Sequence, residues 1–150
     1  MTVFDLIKKH EGFSRGPYRC TANKLTIGYG RNLEANGISE EEAAVLLKND
    51  VVEAEKHLEQ EPYWYSLSDV RQAVLIDMVY NLGWSGFQTF KKLRRALEDK
   101  DYTWAASCMA ASLWYSQVGN RSKRLVGMMQ HDVWPLSEII KTKPLRLPLR

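Results

Sequence analysis

The sequence predicts an α+β fold: a small β-hairpin-containing N-terminal region, one long helix, and a helical remainder. Three observations predict it. Between Gly16 and Gly30, short runs of β-branched and aromatic residues alternate with turn residues, as in a hairpin. Ser39 and Glu42 form a capping box at the head of a long amphipathic stretch. From Val70 onward apolar residues recur at helical spacing, interrupted by Gly83 and by Asn120-Arg121-Ser122.

Each element follows in order. Thr2 can cap a first helix whose Val3, Phe4, Leu6 and Ile7 form an apolar stripe, and Gly12 ends it just behind Glu11. Gly16-Pro17 predicts a turn, Tyr18-Arg19-Cys20 a strand, Thr21 to Lys24 a second turn, and Leu25 to Tyr29 a second strand. Gly28 and Gly30 would let another group approach the backbone closely. The capped helix should run from Ser39 to about Gln60, with Ala43, Leu46, Leu47, Val51, Ala54 and Leu58 as its apolar positions. Ser66 or Ser68 caps the next helix. Its apolar residues crowd most of the circumference, which predicts a buried centre, and Gly83 should end it. Further helices are expected over Phe90–Glu98, Thr103–Ala111 and Asn120–Gln130. Trp84, Trp104, Trp114 and Trp134 are expected as core aromatics.

Composition narrows the class. At 150 residues the chain predicts one domain with a core of its own. Its 45% hydrophobic and 26% charged residues place it among globular chains and not disordered ones. No run approaches the ~18 apolar residues of a membrane span. Asp5, Lys8, Lys9 and His10 interrupt the N-terminal apolar residues, so no secretory signal is expected. Cys20 and Cys108 are too few for a disulfide framework and read as free thiols. The net charge of +3 suits an anionic polymer. Nucleic acid is a poor fit, because the basic residues are dispersed and no binding motif occurs. His10, His57 and His131 are scattered, which supports neither a metal site nor a cofactor, and no serine sits in a nucleophile elbow.

Chemistry concentrates at the start of the chain. Glu11 is followed after eight residues by Cys20, after five more by Thr26, and then by Ile27-Gly28-Tyr29-Gly30. This order resembles the catalytic signature of the phage-type lysozymes. Asp77 to Gly83, Trp114 to Gln117 and Asn120 to Arg124 are similar to the same family's helical part, and the likeness covers roughly residues 3–134. The resemblance implies a two-lobed fold. An N-terminal lobe of about 12–38 is joined by a linking helix of about 39–60 to a helical lobe of about 61–135. The first helix, 2–11, would pack on the helical lobe, and residues 136–150 would form a tail.

It also implies hydrolysis of the β-1,4 bond between N-acetylmuramic acid and N-acetylglucosamine in peptidoglycan. Glu11 would be the general acid, and Cys20 and Thr26 would position or activate water. Gly30, Asn32, Tyr80, Leu93 and Cys108 would bind substrate, with Asn81 beside them. Arg121 would support Glu11 as an ion pair, and Arg31 would pair with Asp50. The chain would act as a monomer that lyses a phage host, held in the cytoplasm until a holin releases it to the periplasm and cell wall. The tail alternates basic and apolar residues from Lys141 to Arg150, a composition that suits contact with outer-membrane lipid.

The residues leave alternatives open. A lone Glu is ordinarily a solvated surface group, although a helix C-terminus favours the protonated carboxyl that a general acid needs. A lone Cys is ordinarily a small core residue. Most relatives carry Asp at position 20, and glycoside hydrolysis commonly uses two carboxyl groups. A thiol there is compatible with an inverting hydrolase, with a lytic transglycosylase that leaves anhydromuramic ends, and with a silenced wall-binding relative.

Overall fold

The computed structural model describes residues 1–135; the tail from Leu136 to Arg150, with its expected membrane contact, lies outside the described residues. The chain divides into two compact units, Met1–Lys48 and Asn49 onward. Eight α-helices and one small sheet make up the described residues, an α+β fold as the sequence predicts.

In the first unit, α1 spans Val3–Glu11. Thr2 caps it: its hydroxyl accepts from the Asp5 N–H, and the Asp5 carboxylate accepts from the Thr2 N–H. Three antiparallel strands follow in the order β1 (Ser14–Arg19), β2 (Leu25–Gly28) and β3 (Arg31–Asn32). Tyr18 pairs with Thr26, and Thr26 with Asn32. Gly16-Pro17, expected as a turn, lies inside β1 where the register shifts between Ser14 and Tyr18. Proline has no N–H for the ladder, so the strand bulges there instead of turning back. The short helix α2 (Leu33–Asn36) has no counterpart in the sequence reading; the Asn32 side chain caps it by accepting from the Ala35 N–H.

Helix α3 (Glu40–Leu58) begins at the predicted capping box, with the Ser39 hydroxyl accepting from the Glu42 N–H and Glu42 reaching back to the Ser39 N–H. The same Glu42 carboxylate takes the Arg31 guanidinium at 2.8 Å. Arg31 therefore pairs with Glu42, not with Asp50 further along α3. The reason is local: the capping residue is already folded back toward β3.

The second unit is built on helices α4 (Asp69–Gln88), α5 (Lys91–Glu98), α6 (Tyr102–Ala110), α7 (Leu113–Val118) and α8 (Asn120–His131). A 3₁₀ turn at Trp64–Ser66 precedes them. Ser68 caps α4. Gly83, with φ 74° and ψ 162°, breaks α4 where the sequence predicts an end, and a second helical stretch follows to Gln88. That backbone angle is open to glycine at little cost.

Leu58, Leu75, Met78, Phe87, Leu97 and Met129 are fully enclosed at the centre of this unit. Trp114 is buried among them, while Trp84 and Trp104 pack half-buried at the margin. Trp134 departs from expectation and is 60% exposed. It lies beyond the left-handed residue Asp132 that ends α8, where the chain leaves the packed helices.

Polar contacts fix the helices to one another. The Arg71 guanidinium donates to the Met129 and Gln130 carbonyls and lies over the Tyr102 ring at 3.8 Å. Buried Glu61 accepts from Arg94 on α5 at 2.8 Å. The enclosed Ser122 hydroxyl lies within hydrogen-bond reach of the Tyr115 and Gly119 carbonyls, closing the corner between α7 and α8.

Phe87→Ala should destabilise the protein by about 3–5 kcal/mol, measured by urea unfolding. Acid should weaken the first unit. Arg31, and then the Ser39 N–H, hold the Glu42 carboxyl down at about 2, below its ordinary value of 4.5. A depressed carboxyl contributes stability above its unfolded value and loses it as pH falls through the folded one. Amide exchange between Arg31 and Glu42 should therefore accelerate from about pH 4.5 down to about 2, and Glu42→Gln should flatten that dependence.

Candidate active site

Glu11 is the last residue of α1 and is exposed. Gly12 caps the helix with φ 70°, its N–H donating to the Lys8 carbonyl, so the chain turns directly into β1. The Glu11 carboxylate reaches across to the sheet at Gly30. A Cβ at position 30 would stand 2.8 Å from Glu11 Oε2 and 3.0 Å from its carboxyl carbon. With φ at +84°, Gly30 meets both a conformational and a steric requirement for glycine. This contact brings the predicted acid to the turn between β2, which carries Thr26, and β3.

Cys20 follows β1 at the mouth of the hairpin. Its N–H donates to the Lys24 carbonyl at 3.0 Å, and the Asn23 N–H donates to the Cys20 carbonyl at 2.8 Å. The thiol is pulled below its ordinary value chiefly by the Lys24 N–H, then by the Ala22 N–H and the Thr26 hydroxyl, with burial opposing. The turn thus aims backbone donors at the sulfur and favours thiolate. Thr26, on β2, is buried at 3% exposure, and its hydroxyl lies 2.9 Å from the Lys24 carbonyl. The hydroxyl's single proton can serve the Lys24 carbonyl or the Cys20 sulfur, one at a time, and its lone pairs are open to a proton from water. Glu11, Gly30, Cys20 and Thr26 therefore belong to one small framework. Asn32, the neighbour of Thr26 on β3, has its amide oxygen committed to capping α2.

The predicted residues of the second unit are placed differently from one another. Tyr80 is exposed on α4. The Asn81 amide oxygen accepts from the Trp114 indole at 2.9 Å, which leaves its NH₂ as the group open to a ligand. Leu93 is enclosed to solvent but contributes to the lining of the cavity beside Cys108. Cys108 is half-buried against an open cavity of about 550 Å³, walled by Phe90 and Trp104. Burial pushes its thiol up, the opposite direction from Cys20. Arg121 donates from Nε to Asp77 at 2.7 Å. Sequence reasoning missed Asp77 as the partner of Arg121, although the run Asp77 to Gly83 contains it. It also missed the Lys91–Lys92 pair at the cavity rim. A signal for that pair exists, since two cations at a helix start oppose the helix dipole. Among the described residues no cluster of three or more potential ligands could hold a metal ion.

Comparison with known proteins places the chain in a family. The family model described as phage lysozyme matches residues 8–131, which include Glu11, Cys20, Thr26 and every helix from α3 to α8. A protein of Dictyostelium discoideum named "Probable T4-type lysozyme 1" is 26% identical, over 86% of this chain and 94% of its own length. An "Endolysin" of Acyrthosiphon pisum secondary endosymbiont phage 1 is 29% identical, over 68% of this chain and 70% of its own. The "Pre-baseplate central spike protein Gp5" of Enterobacteria phage T4 is 28% identical over 83% of this chain, which matches 27% of that longer protein. With a family match across most of its length, the chain belongs to the phage lysozyme family.

Proposed function

We propose that the protein is a glycoside hydrolase of the muramidase type, cleaving the β-1,4 bond between N-acetylmuramic acid and N-acetylglucosamine with inversion. The observation that carries this reading is the contact of the Glu11 carboxylate with Gly30, in the turn that leaves the strand of Thr26, while the Thr26 hydroxyl faces the Cys20 thiol. Glu11 gives its proton to the glycosidic oxygen as the bond to the anomeric carbon breaks. A water on the opposite face forms the new bond to that carbon. Its proton passes to the Cys20 thiolate, and the Thr26 hydroxyl orients it. The printed names of the lysozyme and endolysin relatives favour the same chemistry.

The biological role we infer is lysis of a bacterial host by a monomeric endolysin. It accumulates in the cytoplasm, passes a holin-formed opening and acts on the wall from the periplasm. Asn32, Tyr80, Asn81 and Cys108 remain candidates for holding the glycan, and Arg121 for supporting Glu11. Leu93, which lines the cavity beside Cys108, remains a candidate with them.

Mass spectrometry of fragments released from purified peptidoglycan tests the reaction, with Glu11→Gln as the control. Hydrated muramic ends that vanish in the control are expected. Anhydro ends would replace the hydrolase with a lytic transglycosylase, and the absence of fragments would leave a wall-binding relative. Gly30→Ala should lower kcat by about tenfold or more, because displacing the acid by about 1 Å already costs up to ~100-fold. Circular dichroism should confirm the variant's fold. The pH profile tests the thiol. Activity that needs thiolate should rise with pH through a value below that of an ordinary thiol. Cys20→Asp should move that rising limb into the carboxylate range, and Cys20→Ala should abolish it.

A further inference from the structure

The turn that carries Cys20 is held from outside by one carboxylate. Strand β3 ends at Asn32, opposite Thr26, so Leu25 on β2 would face residue 33, where the chain has already entered α2. The ladder therefore supplies no carbonyl to Leu25 on that side. Glu34, in the first turn of α2, takes the place, and its Oε1 accepts from the Leu25 N–H at 3.1 Å. The same oxygen accepts from the Arg19 guanidinium at 2.9 Å, and Oε2 lies 3.8 Å from the Lys24 ammonium. The Arg19 nitrogen that serves Glu34 also donates to the Asn23 carbonyl at 3.2 Å.

Glu34 thus reaches both flanks of the turn, Arg19 and Leu25, and two residues inside it, Lys24 directly and Asn23 through Arg19. The turn itself is closed by the Cys20 N–H on the Lys24 carbonyl and by the Asn23 N–H on the Cys20 carbonyl. Asn23 stands at φ 58°, a left-handed conformation that few residues adopt and that asparagine tolerates. This backbone supplies the donors to the Cys20 sulfur, the Lys24 N–H first and the Ala22 N–H next. Their aim depends on the shape of the turn, and Glu34 fixes that shape from α2.

Charge pairing by itself does not explain the arrangement. Arg19, Lys24 and Glu34 are all exposed, and exposed ion pairs add little to stability. A carboxylate that accepts from a backbone N–H makes the stronger and more directional contact. The thiol, for its part, is drawn down by hydrogen bonds, led by the Lys24 N–H, and not chiefly by a neighbouring charge.

We propose that Glu34 is a positioning residue, whose carboxylate fixes the Cys20–Lys24 turn so that its N–H groups stay aimed at the sulfur that takes the proton of the attacking water. The assignment rests on the muramidase reading for the use made of the thiolate, while the positioning itself is measurable without turnover. Glu34 takes no part in bond breaking.

The test is alkylation of the full chain with iodoacetamide across a pH series, read separately at the Cys20 and Cys108 peptides by mass spectrometry. In Glu34→Ala the Cys20 thiol should rise toward its ordinary value. Its alkylation near neutral pH should slow by about threefold or more, since reactivity follows the thiolate fraction. Cys108, in the other unit, should be unchanged. Glu34→Gln keeps an acceptor for Leu25 and Arg19 and should stay close to the unmodified protein. Glu53→Ala, which removes the carboxylate beside Lys56 and His57 on α3, should alter neither thiol. Amide spectra should show that each variant keeps its fold.

The sign of the change decides the matter. If the carboxylate acted through its field, removing its negative charge would lower the thiol value, whereas losing the shape of the turn raises it. A Cys20 value that falls or stays put in Glu34→Ala, or one that rises as far in Glu34→Gln, would overturn the assignment. In the active enzyme, the rising limb of the pH profile should move to higher pH in Glu34→Ala together with the thiol. A thiol that rises while that limb stays in place would keep Glu34 as its positioning residue and refute Cys20 as the proton acceptor.

Discussion

A methyl group at position 30 would lie 2.8 Å from the Glu11 carboxylate, well inside contact distance. The first unit's chemistry depends on that missing methyl. It lets the end of α1 close against the sheet, so that a carboxyl on a helix and a thiol beyond a strand share one framework. The positive φ at Gly30 makes the same demand through the backbone, and two independent constraints thus select glycine there. Around it, Arg31 anchors β3 to Glu42 and Asn32 caps α2, so the residues that follow Gly30 are held by side-chain contacts on both sides.

The second unit reaches rigidity by a different route. Its core is apolar, and the polar groups at its edges are spent on fixing helix ends: Arg71 on the last carbonyls of α8, Ser122 at the α7–α8 corner, and Glu61 on Arg94. This use of polar groups bears directly on function. The Asn81 carbonyl is taken by Trp114 and Asp77 by Arg121, so two polar side chains near the exposed Tyr80 already have structural partners.

The two thiols show how environment separates identical groups. Cys20 sits in a turn whose N–H groups point at it, and its thiol is drawn down. Cys108 sits against packed aromatic walls, and burial pushes its thiol up despite the nearby Lys92. The two shifts are opposite in direction, one set by hydrogen-bond donors and the other by burial.

Much of this was legible in the sequence because it is local. The capping boxes, the glycine breaks and the 3.6-residue apolar periodicity depend on neighbours in the chain, so Ser39 with Glu42, Ser68, and the extents of α3, α5 and α8 follow from the residues themselves. The order Glu11, Cys20, Thr26 also identified the family before any coordinates. What tertiary structure decided was partner choice. Arg31 takes Glu42 and not Asp50, Arg121 is held by Asp77, Leu93 sinks into the core while Trp134 leaves it, and Gly16-Pro17 becomes a bulge and not a turn. Each depends on which side chains meet across elements distant in sequence, and no periodicity or spacing encodes that distance.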